Sequence, residues 1–464
     1  MSDQGRPEPV HCNEMKRLLV ANRGEIAVRI IRAAHELGLE AVAVHSDADR
    51  DSLAVRMADV VVPIGPPPAA KSYLNIDALI KAALDSGAQA VHPGYGFLSE
   101  NASFAQAVER AGLIFVGPTP EAIRIMGNKS LACETAAKAG VPTVPGSNGV
   151  VGTIDDAVRA AVKIGYPVMI KASAGGGGRG IRVANDPEEL RQQMGVAQAE
   201  AQSAFGDNSV YLERLIRRAR HVEVQVLGDG RDVVHCYERE CSLQRRRQKI
   251  LEEAPSPVLS QATRERLCES AVRLARSVGY RGAGTLEYLY DEASGEFFFI
   301  EMNTRIQVEH PVTEMVTGVD LVREMIRVAQ GEPLRPKQNE IAIRGASIEC
   351  RINAEDPDKN FMPSPGRISE IILPGGPGVR MDTMLYAGYT VPPYYDSLLG
   401  KLIVHAEDRP AAIARMRRAL NELRVEGVKT TRTMHLRLMD EPRFKAAQFD
   451  TTFLEGWLAA TLPS

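Results

Sequence analysis

Five polar side chains occur at every second position in the stretch FFFIEMNTRIQVEHPVTE, residues 297–314. They are Glu301, Asn303, Arg305, Gln307 and Glu309. An extended chain points alternate residues to one side, so these five would share a face and the apolar residues between them would take the other. A strand with one solvated face shows the same alternation without any function. We predict a half-buried strand that runs into an ordered segment, and this segment stops at Pro311.

A second carboxylate is predicted to lie beside this segment. Gly284–Tyr290 and Phe297–Glu301 flank a short polar turn and should pair as a hairpin. Glu287 would then lie close to Glu301, although a slip of one residue in register would send the two carboxylates to opposite faces. If they share a face, a cation is needed between them. Two carboxylates and the amide oxygen of Asn303 are ligands suited to Mg²⁺, which also binds substrate phosphates.

A glycine-rich stretch, YPVMIKASAGGGGRGIRV at residues 166–183, formally satisfies the pattern GxGxxG. A dinucleotide site needs a helix to begin at the glycines, whereas residues 181–183 continue as a strand. The pattern therefore favours a flexible hairpin whose backbone amides close over phosphates. No GxxxxGK[ST] sequence occurs, which excludes a P-loop. Lys171 and Lys129 could reach a polyphosphate there, or each could be an ordinary surface lysine.

The run CSLQRRRQK at residues 241–249 carries four cations in five positions. Runs of this kind usually belong to solvated faces or nucleic-acid patches. This run is short, it precedes the acidic Glu252 and Glu253, and the whole chain is slightly acidic, so a loop that holds an anion is at least as good an interpretation. We interpret Cys241 as a small buried hydrophobe rather than a reactive thiol.

Length and composition set broad limits. A chain of 464 residues exceeds what one hydrophobic core usually supports, so we expect two or three domains. Its 44% hydrophobic and 25% charged residues are typical of a globular protein, and the formal net charge of −3 gives no argument for nucleic acid or an anionic membrane as a partner. No segment approaches the length of a membrane span. The six cysteines form no CxxC pair, which suits a reducing cytoplasm, and we predict residues 1–14 to be a disordered tail.

Strand and helix patterns alternate through residues 15–127, which predicts an N-terminal domain with a doubly wound parallel sheet. The predicted strands are Arg17–Ala21, Ala41–His45, Asp59–Ile64, Ala88–His92 and Leu113–Val116, and the predicted helices are Glu25–Leu37, Ile76–Ser86 and Asn101–Ala111. The loop HPGYGF at residues 92–97 follows a strand, where ligands of such sheets collect, although a plain turn would have the same composition. Residues 128–218 are predicted to form a second domain around the glycine hairpin.

Residues 219–464 are predicted to form a third domain of mixed and antiparallel character, so the whole chain combines α/β and α+β organisation. His221–Leu227 alternates strictly, with His221, Glu223 and Gln225 on one face. The further predicted strands are Gly345–Asn353, Arg367–Leu373, Thr390–Pro392 and Lys401–His405, and the predicted helices are Thr263–Ser277, Asp320–Gln330 and Arg409–Leu423.

Ten stretches, in this order, resemble the biotin carboxylases of the ATP-grasp superfamily. They are RLLVANRGEIAVRI (17–30), HPGYGFLSEN (92–101), FVGPTPEAIRIMGNK (115–129), IKASAGGGGRG (170–180), HVEVQVL (221–227), ECSLQRRRQK (240–249), RGAGTLEY (281–288), IEMNTRIQVEHPVTEM (300–315), ECRINAEDP (349–357) and AGYTVPPYYDSLLGKL (387–402). They span nearly the entire chain. No single glycine loop is specific, but the set is.

The resemblance implies an ATP-grasp fold with a pre-ATP-grasp N-terminal domain, a glycine-loop lid and a C-terminal domain that supplies metal and substrate groups. It also implies a reaction: ATP phosphorylates bicarbonate to carboxyphosphate, which breaks down to CO₂ and phosphate, and N1 of biotin captures the CO₂. The cofactors implied are ATP, Mg²⁺ or Mn²⁺, and biotin on a carrier. The partners implied are a biotin carboxyl carrier protein, carboxyltransferase subunits and a second copy of the chain in a homodimer, all in the cytoplasm.

Roles carry over residue by residue from the resemblance. ATP binding falls to Lys129, Lys171, Gly177, Gly178, Glu213, Arg214, Leu215, Ile216, His221, Gln244, Arg247, Glu287 and Glu301, and metal binding to Glu287, Glu301 and Asn303. Catalysis falls to Lys249, Arg305, the general base Glu309, and Arg351, which faces the biotin ureido oxygen. The bicarbonate and biotin pocket adds Tyr95, Gly96, Gln307, Val308 and Asp396.

These roles make physical sense. Bicarbonate is a small anion and a weak nucleophile, so cations must hold it in line with the γ-phosphate and a carboxylate must take its proton. A fixed guanidinium can stabilise the enolate-like oxygen of a deprotonated ureido group because arginine stays charged. Closure of the glycine hairpin would keep water from carboxyphosphate.

One position departs from the family pattern, which is usually RRHQK where this chain has Arg245-Arg246-Arg247-Gln248-Lys249. A nucleotide contact expected from histidine must come from Arg247 or be missing. We expect Arg247 to add a permanent positive charge and to change ATP affinity more than turnover.

Other classes of protein share some of these features. Another ATP-grasp ligase would keep the lid and metal pair but not residues 305–309 or Arg351. A non-catalytic nucleotide sensor would need no bicarbonate pocket, and a dehydrogenase is disfavoured by the strand after the glycines. No Ala-Met-Lys-Met sequence is present, so we expect the biotinyl carrier and any carboxyltransferase to be separate polypeptides.

Overall fold

The computed structural model describes residues 15–147, 149–172, 181–205 and 207–461, without the side chains of residues 204 and 205. The predicted tail at residues 1–14 and the predicted phosphate-binding Gly177 and Gly178 lie outside the described residues.

The chain separates into two compact units. The first unit comprises residues up to Val141, Arg220–Tyr288 and the chain from Glu301 onward, and the second comprises Pro142–Ala219 and Leu289–Ile300. The three predicted domains, with boundaries at residues 127 and 218, stay a prediction.

The N-terminal part of the first unit is built on a five-stranded parallel sheet of order β3-β2-β1-β4-β5. Its strands are β1 (Arg17–Val20), β2 (Glu40–Ser46), β3 (Val60–Gly65), β4 (Ala90–His92) and β5 (Ile114–Phe115), and its helices are α1 (Gly24–Glu36), α2 (Leu53–Met57), α3 (Ile76–Asp85), α4 (Ala102–Arg110) and α5 (Pro120–Gly127). Leu18 and Val20 pack in one apolar cluster with α1, whereas Leu19 packs in another with α3 and α4. Burial on both faces confirms the predicted doubly wound sheet.

Polar residues begin several of these helices because a side-chain oxygen satisfies a free backbone N–H of the first turn. Asn75, Asn101 and Thr119 do so for α3, α4 and α5. Asn128 does the same for α6 (Lys129–Lys138), which closes this part of the unit.

The second unit contains α7 (Ile154–Ile164), β6 (Val168–Ala172), β7 (Arg182–Ala184), α8 (Pro187–Phe205) and β8 (Val210–Arg214). Its sheet is antiparallel, with order β7-β6-β8. Val168 pairs with Ala184 across β6 and β7, so strands flank the glycine-rich residues on both sides. This pairing confirms the predicted hairpin.

The remaining elements begin with β9 (Ala219–Asp229), β10 (Val233–Arg245), β11 (Gln248–Ala254), α9 (Gln261–Ser277), β12 (Arg281–Asp291), β13 (Glu296–Asn303), α10 (His310–Thr317), α11 (Leu321–Ala329) and β14 (Ala346–Asn353). They continue with β15 (Glu355–Asp356), β16 (Met362–Pro363), β17 (Gly366–Arg367), β18 (Glu370–Ile372), β19 (Val379–Thr383), β20 (Thr390–Val391), β21 (Leu398–Ala406), α12 (Arg409–Glu422), β22 (Arg424–Glu426), α13 (Arg432–Asp440), α14 (Pro442–Lys445) and α15 (Phe453–Thr461).

Eight of these strands form one large sheet of order β13-β12-β9-β10-β11-β14-β21-β19. Helix α10 lies against one face of its β11-β14-β21 part, where Val312 and Val316 pack on Ala254 and Ile403. Helices α12 to α15 cover the other face of these strands with a large apolar cluster. Both faces are therefore buried.

Three sequence predictions were wrong in detail. The basic run is not a loop but a tight hairpin, because Arg245 pairs with Gln248 and the two residues between them, Arg246 and Arg247, both take positive φ angles of 49° and 65°. The predicted strand Arg367–Leu373 is two short strands, β17 and β18, because the chain changes its pairing partner after Ile368.

The third error concerns the end of the ordered segment. Strand β13 stops at Asn303, and Pro311 lies in the first turn of α10 instead of ending the segment. The fixed φ of proline suits the first helical turn, where its missing N–H costs nothing. Glu309 therefore lies at the N-terminus of a helix rather than on a strand.

Candidate active site

The residues predicted to hold bicarbonate and biotin line a single cavity of about 590 Å³ in the first unit. They are Tyr95, Gly96, Lys249, Arg305, Gln307, Val308, Glu309, Arg351 and Asp396. Five separate parts of the chain supply them: the loop after β4, strand β11, the segment before α10, strand β14 and the loop before β21. The fold thus brings the whole predicted set together, while the role of each residue stays a prediction.

The loop after β4 is held by Asn22, whose side-chain amide donates to the carbonyls of Pro93 and Tyr95, each at 2.7 Å. Gly94 has a φ of +64°, and a Cβ at this position would lie 2.8 Å from the Asn22 amide nitrogen. Glycine is therefore required for the loop to close over Asn22.

Lys249 connects three carboxylates at the floor of the cavity. Its Nζ lies 2.6 Å from Glu309 Oε1 and 3.0 Å from Glu287 Oε1, and it also donates to Glu223. Burial disfavours the charged ammonium, but these carboxylates outweigh burial and raise the pKa of Lys249 well above its ordinary value. Lys249 is a permanent cation in this structure.

Glu309 is the acidic counterpart of Lys249. Burial favours its protonated form, but Lys249, Arg351 and Arg239 outweigh burial and hold the pKa of Glu309 well below 4.5. The carboxyl is therefore ionised and ready to accept a proton.

Arg305 is held by a residue that the sequence analysis missed. Its Nε donates to Glu100 Oε2 at 2.7 Å and its Nη2 donates to Asn303 Oδ1 at 2.9 Å. Glu100 also accepts from the backbone N–H of Thr304 at 3.0 Å. Glu100 lies in the stretch HPGYGFLSEN but 205 positions from Arg305, so only the fold reveals the pair.

Arg351 bridges two buried carboxylates from opposite sides. Its Nη2 lies 3.0 Å from Glu309 Oε2 and its Nε lies 2.7 Å from Glu252 Oε1. Burial opposes the guanidinium charge, but Glu252 and Glu309 outweigh burial and raise the pKa of Arg351. The guanidinium is fixed and charged beside Glu309.

The backbone at Arg351 is also held. The pairing of β14 with β21 shifts register between Ile352 and Asn353. The Arg351 carbonyl accepts from Thr431 Oγ1 at 2.9 Å and lies 2.8 Å from His435 Nε2. Burial lowers the pKa of His435 to about 4, so its ring is neutral and Nε2 carries the donating proton.

A fully buried arginine, Arg239, was also missed. It donates to five side chains, those of Glu223, Gln225, Thr285, Gln307 and Thr313, at distances from 2.6 to 3.1 Å. This uses its donors completely and fixes Gln307 in the cavity wall. Glu223 and Gln225 lie on the polar face of β9, and the strict alternation of residues 221–227 was the only signal of it in the sequence.

Val308 is held through its carbonyl, which accepts from Lys401 Nζ at 2.7 Å. Lys401 is fully buried and also lies 3.2 Å from Glu25 Oε1. Glu25 in turn accepts from the Tyr95 hydroxyl. A chain of buried contacts therefore links both sides of the cavity.

Of the predicted nucleotide contacts, His221 and Gln244 lie together in the first unit. Gln244 Nε2 lies 3.0 Å from His221 Nδ1, and His221 Nε2 lies 3.1 Å from Glu287 Oε2. Burial disfavours a charged His221 ring, but Glu287 outweighs burial and raises the pKa of His221. Lys129 begins α6 and is exposed, and Arg247 is exposed on the cavity wall.

The other predicted nucleotide contacts lie in the second unit. Lys171 on β6 forms an ion pair with Glu213 on β8, and both are half-buried. Arg214 lies 3.7 Å from Glu296, Leu215 N–H donates to the Pro167 carbonyl at 2.9 Å, and Ile216 packs on Phe298.

The residues predicted to hold a divalent metal fit that role in part. Strands β12 and β13, which carry Glu287 and Glu301, are neighbours in the large sheet, and burial together with the like charge of Glu287 raises the pKa of Glu301. Asn303 Nδ2 donates to Glu287 Oε1 at 2.9 Å, while its Oδ1 accepts from Arg305. Glu287 and Glu301 therefore offer oxygen ligands suited to Mg²⁺, and Asn303 would have to release Arg305 to add a third.

Cys241 is fully buried, and burial raises the pKa of its thiol well above the ordinary value. The burial agrees with its interpretation as a small buried hydrophobe, and the raised pKa favours the protonated thiol. Among the described residues, no helix combines the length and apolar character needed to cross a membrane.

Models of three protein families match consecutive parts of the chain. They describe the biotin carboxylase N-terminal domain at residues 14–123, the ATP-binding domain of the carbamoyl-phosphate synthase L chain at 128–337, and the biotin carboxylase C-terminal domain at 349–456. A biotin carboxylase of a Nostoc species (strain PCC 7120) is 57% identical over 440 residues, which cover 95% of this chain and 98% of that protein.

Two solved structures show the same fold. The biotin carboxylase of Campylobacter jejuni, in a β-γ-ATP complex, is 49% identical with a TM-score of 0.87 and covers 96% of this chain and 99% of its own. The biotin carboxylase domain dimer of the Hydrogenobacter thermophilus 2-oxoglutarate carboxylase, in complex with MgADP, ADP and bicarbonate, is 49% identical with a TM-score of 0.85 and covers 95% of this chain and 97% of its own.

Proposed function

The chain belongs to the biotin carboxylase family, and we propose that it catalyses the ATP-dependent carboxylation of biotin on a carrier protein. Bicarbonate reacts with ATP to give carboxyphosphate and ADP, and the CO₂ released with phosphate becomes bound to N1 of biotin. This is the first half-reaction of acetyl-CoA carboxylase or a related biotin-dependent carboxylase. The observation that carries the proposal is the single cavity in which Lys249, Arg305 and Arg351 converge with the ionised Glu309.

Lys249 and Arg305 supply the positive charge that holds bicarbonate for attack on the γ-phosphate. Lys249 is now bound to Glu309 at 2.6 Å. When Lys249 turns to bicarbonate, Glu309 loses one neutralising cation, and its affinity for a proton rises. Binding of the substrate thereby converts a weak base into a base strong enough to take the bicarbonate proton.

Arg351 has the complementary task in the second step. Capture of CO₂ requires N1 of biotin to lose its proton, which places negative charge on the ureido oxygen. The guanidinium of Arg351 is held by Glu252 and Glu309 and keeps its charge, so it can stabilise that oxygen without reorganising.

The nucleotide and metal sites form part of the same proposal. Mg²⁺ or Mn²⁺, when bound, would supply positive charge that offsets the negative charge of the ATP phosphates. Glu287 and Glu301 would hold this ion, and the family resemblance assigns nucleotide contacts to His221, Gln244, Lys171 and residues 213–216. The glycine loop would exclude water.

The decisive test measures ATP hydrolysis with and without bicarbonate and free biotin. We expect hydrolysis to require bicarbonate and to rise with biotin. Hydrolysis that instead requires an amine and a carboxylic acid would identify a different ATP-grasp ligase. Binding of ATP without hydrolysis would identify a nucleotide sensor.

The Arg305→Ala variant tests the site assignment within that activity. We expect carboxylation to be abolished while nucleotide binding, followed by calorimetry, stays within a few-fold of the parent. Arg437→Ala is a matched control because Arg437 is an exposed arginine outside the cavity, with its ion-pair partner Asp358 at 3.6 Å. Loss of nucleotide binding in a folded Arg305→Ala protein would contradict the assignment.

The partners are also proposals. They are a separate biotin carboxyl carrier protein, carboxyltransferase subunits and a second copy of this chain, by analogy with the dimeric Hydrogenobacter structure. A reducing cytoplasm suits the free cysteines of the described chain. Co-purification of a biotinylated protein and the mass of the native particle would test the carrier and the homodimer.

A further inference from the structure

Two glutamates face each other in the layer beneath Arg351. Glu252 on β11 pairs directly with Glu349 on β14, so their side chains leave the sheet on the same face, about 5 Å apart at Cβ. Both residues are fully buried. Arg351 follows Glu349 by two positions on this face, and Ala254 and Ile403 of the apolar cluster beneath α10 lie beside Glu349.

The two carboxyls have very unequal partners. Glu252 Oε1 accepts from Arg351, but Glu252 Oε2 and both oxygens of Glu349 make no hydrogen bond to any described residue. Lys401 on the neighbouring strand β21 is directed instead to the Val308 carbonyl and to Glu25. Glu349 is therefore a buried carboxyl without a donor.

A buried carboxylate without a donor is costly, and two side by side are costlier still, so a proton must be retained. Glu349 lies nearest the apolar cluster and is the better place for it. The unpartnered Glu252 Oε2 on the neighbouring strand is then the natural acceptor for the Glu349 O–H. Burial raises the pKa of Glu252 to about 7, and burial together with the nearby Glu252 charge raises the pKa of Glu349 well above 4.5.

A second glutamate pair, between β11 and its other neighbour β10, shows that pairing alone does not force this outcome. Glu253 pairs with Glu240 on the opposite face of the sheet. There Arg409 binds both oxygens of Glu253, at 2.6 and 3.1 Å, and Ser256 donates to Glu240 at 2.8 Å. The Glu252–Glu349 pair differs because its oxygens lack donors.

We propose that Glu252 and Glu349 share one proton and form a positioning pair, which sets how Arg351 divides its N–H donors between Glu252 and Glu309. The proposal rests on the proposed role of Arg351. With the proton retained, the pair carries a single negative charge, so Arg351 also serves Glu309 and the cavity. Loss of the proton adds a second negative charge, which draws Arg351 toward the sheet and away from biotin.

Other charged groups bear on this pair. Those facing it are Lys249 on β11, Arg351 on β14, Lys401 on β21, and Glu309 at the start of α10. Farther along α10, His310 is held neutral by burial and the nearby cations, and Glu314 is neutralised by Arg29 and Arg380. Asp382 on β19 is bound by Arg380. These groups keep fixed charges while the pair itself titrates.

The shared proton can be observed directly by infrared spectroscopy. A protonated carboxyl has a C=O stretch separate from the carboxylate bands, so the parent-minus-Glu349→Gln difference spectrum should contain such a band, which disappears at alkaline pH. Glu422→Gln, which removes an exposed carboxylate paired with Arg418, is the control and should remove only carboxylate bands. A Glu349→Gln difference spectrum with carboxylate bands alone would overturn the proposal, whatever reaction the enzyme catalyses.

The positioning role is tested by the pH profile of kcat/KM for biotin. In the parent we expect kcat/KM to fall at alkaline pH as the pair loses its proton. Glu349→Gln imitates the protonated form, so it should keep kcat/KM within about twofold at neutral pH and lose the alkaline fall. Glu252→Gln should lower kcat/KM by about tenfold because Arg351 loses a charged hydrogen bond.

Glu253→Gln is the matched kinetic control, since it changes the next residue on the same strand but on the opposite face. It should keep the parental alkaline fall. An unchanged alkaline fall in Glu349→Gln, together with the infrared band, would refute the coupling to Arg351. Absence of bicarbonate-dependent activity in the parent would instead refute the proposed function.

Discussion

Neighbouring residues of β14 enter two very different environments. Ile348, Cys350 and Ile352 pack in the apolar cluster beneath α12 to α15, whereas Glu349 and Arg351 point into the charged layer beneath α10. Both sets are buried, so accessibility does not distinguish them. The apolar face is stabilised by removal of surface from water, while the charged face must satisfy each ion with a partner.

The two faces of the sheet therefore contribute differently: the charged face positions the groups for catalysis, and the apolar face stabilises the fold. Ions on the charged face are linked through Lys249, Arg239, Arg351 and Lys401, each of which contacts at least one residue of the cavity wall. Such a layer gives little net stability, because desolvation offsets much of the attraction between the charges. Its value is to keep charged groups fixed beside the substrates.

The largest expected effect comes from the charged face. Glu309→Gln removes the proposed base and should lower kcat for carboxylation by about 10²- to 10⁴-fold, with nucleotide binding retained. Glu253→Gln is the control because Glu253 is also buried but faces α12. We expect this variant to lower the Tm and to leave kcat close to the parental value. A kcat for Glu309→Gln within tenfold of the parent would show that another group takes the proton.

A pair of adjacent substitutions should separate the two faces. Arg351→Lys keeps a positive charge but loses the planar guanidinium group, which donates to Glu252 and Glu309 at once. We therefore expect kcat/KM for biotin to fall by about tenfold or more, with a modest loss of stability. Ile352→Ala should cost roughly 2–5 kcal/mol in the free energy of unfolding and leave kcat within about twofold. Denaturant titration and steady-state kinetics on both variants measure these two effects. Similar losses of stability and of kcat/KM in the two variants would contradict the division of roles between the two faces.

The pH dependence of stability gives a smaller effect with a definite sign. The pKa of Glu349 is raised above 4.5 in the folded protein, so the folded state binds more protons than the unfolded state above that pH. Its contribution to stability therefore falls as pH rises from about 5 toward the folded pKa, by at most about 1.4 kcal/mol per pH unit. Glu349→Gln should remove this loss, so its Tm relative to the parent should increase with pH. A constant Tm difference would contradict the raised pKa.

The smallest effect is expected at the cavity rim. Arg247 is exposed in the hairpin turn, so Arg247→His should change the KM for ATP by a few-fold and leave kcat nearly unchanged. An unchanged KM for ATP would show that Arg247 makes no contact with the nucleotide. A change in the KM for biotin alone would assign Arg247 to the cavity that it lines.

Much of the site could be predicted from the sequence because its signals are local. The alternation around residues 301–309, the hairpin that joins Glu287 to Glu301 and the glycine hairpin each depend on backbone preferences over a few residues. The ten family stretches then supplied the cavity residues, all of which line the cavity. Prediction from the sequence failed where a local rule had two outcomes: Pro311 lies in the first turn of a helix rather than stopping the ordered segment, and two arginines form a tight turn.

By itself the sequence determined the strands and helices, the family and the identity of the residues around the cavity. Only the tertiary structure decided the partners: Glu100 for Arg305, Glu252 for Arg351 and Lys401 for the Val308 carbonyl. These pairs join residues 93 to 205 positions apart, and they form because sheet order and helix packing bring distant strands together. Alternation in a strand indicates that one face is polar. Whether that face is solvated or forms a buried layer of ions depends on the element that packs on it. Here helix α10 covers the face.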